Sequence, residues 1–232
     1  MRQIVLDTET TGLEVSKGHR IIEIGCIELT ERRPSGRRFH RYLNPQRAID
    51  EGARAVHGIS DEFLADKPRF AEVAAEFLAF VDGAELVIHN AAFDVSFLDA
   101  ELALTDPGLG RVADHANVLD TLALAREKYP GQRISLDALC KRLNIDNRHR
   151  ELHGALLDAQ LLADVYLAMT GGQGDLGLAS APTAAGPVLA ATQSVARHPL
   201  RVRRADVAEA FAHETRLQAI DTASKGRCLW RA

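Results

Sequence analysis

Cysteine is scarce in this chain: three residues among 232, Cys26, Cys140 and Cys228, lie far apart and form no C-x-x-C pair. An odd, scattered set excludes a disulfide framework and reads as reduced thiols, two of them serving as small core residues. Long apolar runs are also missing. No stretch approaches the ~18 residues that a membrane span needs. The chain passes directly into Gln3-Ile4-Val5-Leu6, with no basic segment followed by a long apolar one. The expectation is a soluble, cytoplasmic protein. Nor is there an excess of positive charge, since the net charge is −4 and the pI is near 6.1. That argues against a protein that coats DNA through its overall field. It leaves a nuclease open, because bound divalent cations can supply positive charge where a phosphate sits. Internal repeats are absent, and tryptophan occurs once, at Trp230.

What remains is ordinary globular material, 46% hydrophobic and 26% charged, enough for one packed domain and an appendage. Three strand-like segments come first: Gln3 to Glu9, Arg20 to Leu29 and Phe39 to Leu43. Turn residues fill the gaps, Gly12 and Gly18 in one and Pro34, Ser35 and Gly36 in the other. Short connections favour antiparallel neighbours, so the spacing predicts a meander. Helical and strand patterns then alternate. Phe70 to Val81 is amphipathic, Glu85 to His89 is a short apolar strand, and Phe93 to Leu104 is helical. Val118 to Leu122 passes from strand into helix. Leu136, Leu139, Cys140 and Leu143 recur at helical spacing behind a capping Ser135, and a last helix runs from about Gly154 to Met169. The pattern predicts an α/β fold, a mixed sheet flanked by helices.

Several acids stand where surface acids do not belong. Asp7 and Glu9 are two apart in a strand, so both point to one face. Alone, the pair fits a solvated strand end as well as a cation site. Asp158 is followed by Leu161, Leu162, Val165 and Met169, which places it on the apolar stripe of its own helix. A carboxylate facing a core is costly unless paired or bound to metal. Asp94 repeats the pattern with Phe97 and Leu98, although Asn90 could cap that helix and make Asp94 a first-turn dipole acid. His153 precedes Asp158 by five residues, which on one helix would set them about 140° apart. The spacing therefore places His153 on the loop before the helix. Four converging carboxylates would repel one another without countercharge. Hard oxygen ligands without a nearby cysteine specify Mg²⁺ or Mn²⁺. Two such ions can clamp the attacking and leaving oxygens of a phosphodiester. A histidine, with an ordinary pKa of about 6.5, suits removal of a proton from the attacking water near neutral pH.

Three ordered motifs carry a resemblance. Asp7-Thr8-Glu9-Thr10-Thr11-Gly12, His89-Asn90-Ala91-Ala92-Phe93-Asp94 and His153-Gly154-Ala155-Leu156-Leu157-Asp158 resemble the three motifs of the DEDDh 3′→5′ exonucleases. The resemblance covers Met1 to about Gly172. Val56-His57-Gly58-Ile59, Ser135-Leu136-Asp137-Ala138-Leu139-Cys140 and the ending Cys228-Leu229-Trp230-Arg231-Ala232 are similar to the branch that proofreads for bacterial replicative DNA polymerases. The resemblance implies an RNase H-like fold and two catalytic divalent ions. It also implies Asp7, Glu9, Asp94 and Asp158 as ligands and His153 as general base. Thr10, Val56, His57, Asn90 and Phe93 would line the pocket for the 3′-terminal nucleotide, together with Asp7, Glu9 and Asp158. Phe93 would offer a stacking face and His57 a hydrogen bond. One departure stands out: where the family often has a Pro-Glu pair before Val56, this chain reads Asp50-Glu51-Gly52.

After Thr170 the composition shifts to Gly, Ala, Ser, Thr and Pro, which is linker chemistry. The expected organisation is an exonuclease domain over 1–172, a flexible linker over 173–204 and a docking tail over 205–232. The linker carries a basic cluster at Arg197, Arg201, Arg203 and Arg204. In the tail, Ala205 to Ile220 reads as a helix with Val207, Ala210, Phe211 and Leu217 on one arc. One helix cannot form a core alone, and Trp230 is a suitable interface anchor. The resemblance names the partner, the polymerase (alpha) subunit, and puts a sliding-clamp peptide at Gln173-Gly174-Asp175-Leu176-Gly177-Leu178. Plain linker fits that segment equally. Two other functions stay open on the residues: an RNA-trimming exonuclease with the same chemistry, and a non-catalytic adaptor of replication proteins.

Overall fold

The computed structural model describes residues 1–148, 152–171, 205–226 and 230. Three long strands open the chain: β1 (Arg2–Thr10), β2 (Ile21–Thr30) and β3 (Arg33–Tyr42). They form the expected antiparallel meander, with a one-turn 3₁₀ helix, Val15–Lys17, between the first two. Then come the short helices α1 (Glu51–His57) and α2 (Asp61–Leu64), and the longer α3 (Phe70–Val81). Next are β4 (Glu85–Ile88), α4 (Ala91–Thr105), the single-turn α5 (Val112–His115) and β5 (Asn117–Asp120). The domain closes with α6 (Thr121–Lys128), α7 (Leu136–Leu143) and α8 (Ala155–Thr170). The sheet order is β3-β2-β1-β4-β5, with β4 and β5 parallel to β1. This is the mixed sheet flanked by helices.

One turn lies elsewhere than expected. Pro34, Ser35 and Gly36 belong to β3, and the reversal is made by Glu31 and Arg32, both with positive φ. Consecutive left-handed residues match the right-handed twist of a hairpin. Pro34 is tolerated because β3 is an edge strand, where a missing N–H breaks no ladder.

Strand alternation divides the core between the two faces. Ile4 and Leu6 of β1 face α3 and α4 and pack with Phe77, Phe97 and Leu98. Val5, between them, faces the other way and packs with Leu139 of α7 and Leu162 and Val165 of α8. Asp7 and Glu9 share the parity of Val5, so both lie on the α8 side, as the spacing predicts. Cys26 and Cys140 are buried thiols, and burial pushes the Cys26 thiol well above its usual range. Cys228 lies outside the described residues.

The chain divides into two units, Met1–Ala179 and Ser180–Ala232. In the second, α9 (Val207–Ala223) begins with a capping box: the Asp206 carboxylate accepts the Glu209 N–H at 2.8 Å, and Glu209 accepts the Asp206 N–H at 3.0 Å. Val207, Phe211 and Trp230 are exposed. Gln173-Leu178 and the basic cluster at 197–204 lie outside the described residues.

Candidate active site

The carboxyl ends of the parallel strands β1, β4 and β5 point to one edge of the sheet, the usual ligand edge of α/β folds. Asp7 and Glu9 come from the end of β1. Asp94 comes from the first turn of α4, directly after β4. Asp158 comes from the first turn of α8, and His153 from the loop before it. All five line a single cleft, which Asn90 and Phe93 also line. Residues as far apart in the chain as Asp7 and Asp158 are therefore brought together in one cleft.

Burial makes this cluster unlike a set of surface acids. Glu9 is 9% exposed, Asp94 3% and Asp158 2%. Donor atoms of Glu9, His153 and Asp158 all lie within 4.8 Å of one another. His153 Nδ1 is 3.4 Å from Asp158 Oδ2, while the His153 ring remains partly exposed to the cleft. Asp94 Oδ1 accepts the Thr8 hydroxyl at 2.7 Å. Burial pushes the Asp94 carboxyl up to about 7, against the opposing pull of that hydrogen bond, with Asp120 raising it further. A cation beside that carboxyl would favour its charged form and draw the value back down.

A second hollow of about 450 Å³ adjoins the cleft and shares Thr8, Glu9, Leu13 and Phe93 with it. Its far wall is formed by Thr10, Val56 and His57, the residues expected to meet a terminal nucleotide. The volume falls within the range of small-ligand sites. His57 Nδ1 accepts the Ile59 N–H at 3.0 Å, which leaves the proton on Nε2. That Nε2 is buried without a hydrogen-bond partner. Desolvation lowers the His57 pKa, against a rising pull from Glu23 and the Thr10 backbone, so the ring is a neutral donor. Glu51, at the start of α1, is exposed and lines neither cavity.

Other residues shape the site without having been anticipated. Asn90 holds the N-cap position of α4 in a left-handed conformation, and its side chain makes no cap bond there. Its backbone N–H instead donates to Asp120 Oδ1 at 3.1 Å, an oxygen that also caps α6 through the Leu122 N–H at 2.8 Å. Asp120 ends a strand just before a helix. That is a cap signal in the sequence, but nothing local ties it to Asn90. Gly12 approaches the buried His19 ring so closely that a Cβ there would overlap it. His19 in turn meets Thr11 Oγ1 at 3.0 Å, which sets the loop between the cleft and the hollow.

Comparison with known proteins agrees with this geometry. The RNase T-type exonuclease family ("Exonuclease") matches residues 4–166, and the chain belongs to it. Its fold is close to that of Exonuclease I, with a TM-score of 0.63 at 17% identity, over 73% of this chain and 41% of that one. Exonuclease X, solved with 5′-overhanging duplex DNA, superposes with a TM-score of 0.56 at 27% identity, over 74% of this chain and 94% of that one. Within the exonucleases, the chain falls among the epsilon subunits of DNA polymerase III. It is 52% identical to that subunit of Escherichia coli (strain K12) over 238 residues, covering 100% of this chain and 98% of the relative.

Membership in this family implies divalent metal, and the donors fit it: buried carboxylates with one histidine and no cysteine among them.

Proposed function

We propose that this chain is the proofreading 3′→5′ exonuclease of a replicative DNA polymerase, releasing nucleoside monophosphates from mismatched 3′ ends. The observation that supports it most is the convergence of Asp7, Glu9, Asp94, His153 and Asp158 in one cleft beside a nucleotide-sized hollow.

Asp7, Glu9, Asp94 and Asp158 would hold two Mg²⁺ or Mn²⁺ ions. When bound, these ions neutralise phosphate charge and stabilise the attacking and leaving oxygens of an in-line displacement. The chain's own residues do the rest. Phe93 stacks on the terminal base, and His57 donates its unpartnered Nε2–H to the terminal nucleotide. Val56 and Thr10 close the hollow. His153 faces Asp158 through Nδ1, so Nε2 takes the proton from the attacking water. Asp158 orients that ring and stabilises its charged form. Selectivity for errors follows from access: a frayed mismatch puts a single-stranded end into the cleft more readily than a paired one.

In this reading the protein is a cytoplasmic subunit that binds DNA at its 3′ end. The polymerase alpha subunit takes the tail over 205–232, and the sliding clamp takes Gln173-Leu178. The RNA-trimming alternative shares the same scissile chemistry, and the full-length match to epsilon subunits, tail included, argues for replication. The test is a primer–template pair ending in either a paired or a mispaired 3′ nucleotide, incubated with Mg²⁺. Faster monophosphate release from the mispaired end is expected. Equal rates from both ends would contradict a proofreading role.

A further inference from the structure

Glu9 on β1 lies directly opposite Glu23 on β2, and Tyr42 on β3 continues the row. Like charges opposed across an antiparallel pair repel. Glu23 is 2% exposed, so water does not relieve it. Protein groups do. Its Oε1 lies 2.7 Å from His40 Nε2, and its Oε2 accepts the Ala155 backbone N–H at 3.2 Å.

Ala155 is the first residue of α8, and the N-cap before it is Gly154, which makes no side-chain cap bond. A helix start leaves its first N–H groups without intrahelical partners. Here a carboxylate from the neighbouring strand supplies one acceptor and sets negative charge at the positive end of the helix dipole. Two contacts secure the same corner. The His153 N–H donates to the Val56 carbonyl at 3.1 Å. Gly25 lies so close to the backbone of Ala155 and Leu156 that any Cβ at that position would overlap them.

We propose that Glu23 is a positioning residue. Held by His40, it latches the start of α8 onto β2. That latch fixes His153, two residues before Ala155, and Asp158, in the first turn, relative to Glu9. The inference rests on the roles given to His153 and Asp158 above. It separates two kinds of buried acid in one row: Glu9 faces the cleft, whereas Glu23 spends its oxygens on the scaffold.

The test uses the full chain as Glu23→Ala, Glu23→Gln and Asp7→Ala, with steady-state kinetics on single-stranded DNA and amide hydrogen exchange across 153–158. In Glu23→Ala, kcat should fall about 10–100-fold, the usual scale for outer-layer residues around a metal site. KM should stay within about two-fold, because ground-state binding is untouched, and exchange at Ala155 should quicken. Glu23→Gln keeps an acceptor for Ala155 and should recover kcat to within a few-fold of wild type. If Glu23→Ala does not fold, His40→Ala should give a smaller kcat loss with the same faster exchange. Wild-type kcat and exchange in the readable variant, beside an inactive Asp7→Ala, would overturn the latch alone. Full activity in Asp7→Ala would instead overturn the site on which it rests.

Discussion

Asp94 shows what burial does to a carboxyl group that a hydroxyl and backbone groups answer but no positive charge does. Its folded-state pKa of about 7 lies above the ordinary value of 3.8, so the folded protein binds a proton that the unfolded chain releases. The stabilising contribution is therefore full below the ordinary value and is lost as pH rises through about 7. In chelator, the melting temperature of the wild type should fall relative to Asp94→Asn between pH 5 and pH 8. Adding Mn²⁺ should reverse that order at pH 8, because the carboxylate then has its cation. Parallel melting curves for the two proteins under both conditions would show that Asp94 is not buried as described. For His153, the prediction concerns chemistry and not stability. His153→Gln should lower kcat by about 10²–10⁴-fold while Mn²⁺ binding measured by calorimetry persists. At this scale much was legible. Two acids at strand spacing and an acid on an apolar helical stripe mark Asp7, Glu9 and Asp158 as candidates in the sequence itself. Asp120 and Glu23 were not legible, because their partners, Asn90 and Ala155, are set by strand pairing and helix docking that no local pattern encodes.

The elements place these residues through close approaches and a few buried ion pairs. Gly25 makes one such approach, bringing β2 against the backbone of α8. Gly25→Ala should cost about 1–3 kcal/mol in urea unfolding, as overpacking does. It should also lower kcat by about 10²-fold, the scale expected when reacting groups move by an ångström. A stable variant with wild-type kcat would mean that α8 tolerates displacement. On the opposite face, Glu101 of α4 is 2% exposed and bidentate to Arg20, through bonds of 2.7 and 2.6 Å, and it also accepts the Ile21 N–H at 3.2 Å. It ties the helix that carries Asp94 to the start of β2. Glu101→Ala leaves the partly buried Arg20 unpaired and should destabilise the protein by about 3–5 kcal/mol. A loss under about 1 kcal/mol, the level of an exposed pair, would contradict that role. The identity of the longer elements was readable from periodicity, down to the bounds of α3, whereas the short helices α1, α2 and α5 carry too few turns to show a period. The β2–β3 turn was not, because Pro34, Ser35 and Gly36 look like turn residues yet serve an edge strand, while Glu31 and Arg32 carry no turn signature and take the positive φ.

The whole molecule joins an exonuclease core to a second unit that contains α9. The core has its own hydrophobic interior on both faces of the sheet. A chain ending at residue 172 should therefore still degrade single-stranded DNA, but it should not co-elute with the polymerase alpha subunit on gel filtration. Co-elution of the shortened chain would move the docking surface into the core. A net charge of −4 is compatible with nucleic-acid binding when the chain gathers acids at its cleft, because divalent cations held there would meet the phosphate. Whether this acidic cleft cuts DNA from the 3′ end is decided with matched 5′-labelled single-stranded DNA and RNA. Each is digested in Mg²⁺ by the wild type and by Asp7→Ala. The expected result is a ladder that shortens from the 3′ end on DNA and is absent with the variant. An undiminished ladder with Asp7→Ala, or none on DNA with the wild type, would contradict it.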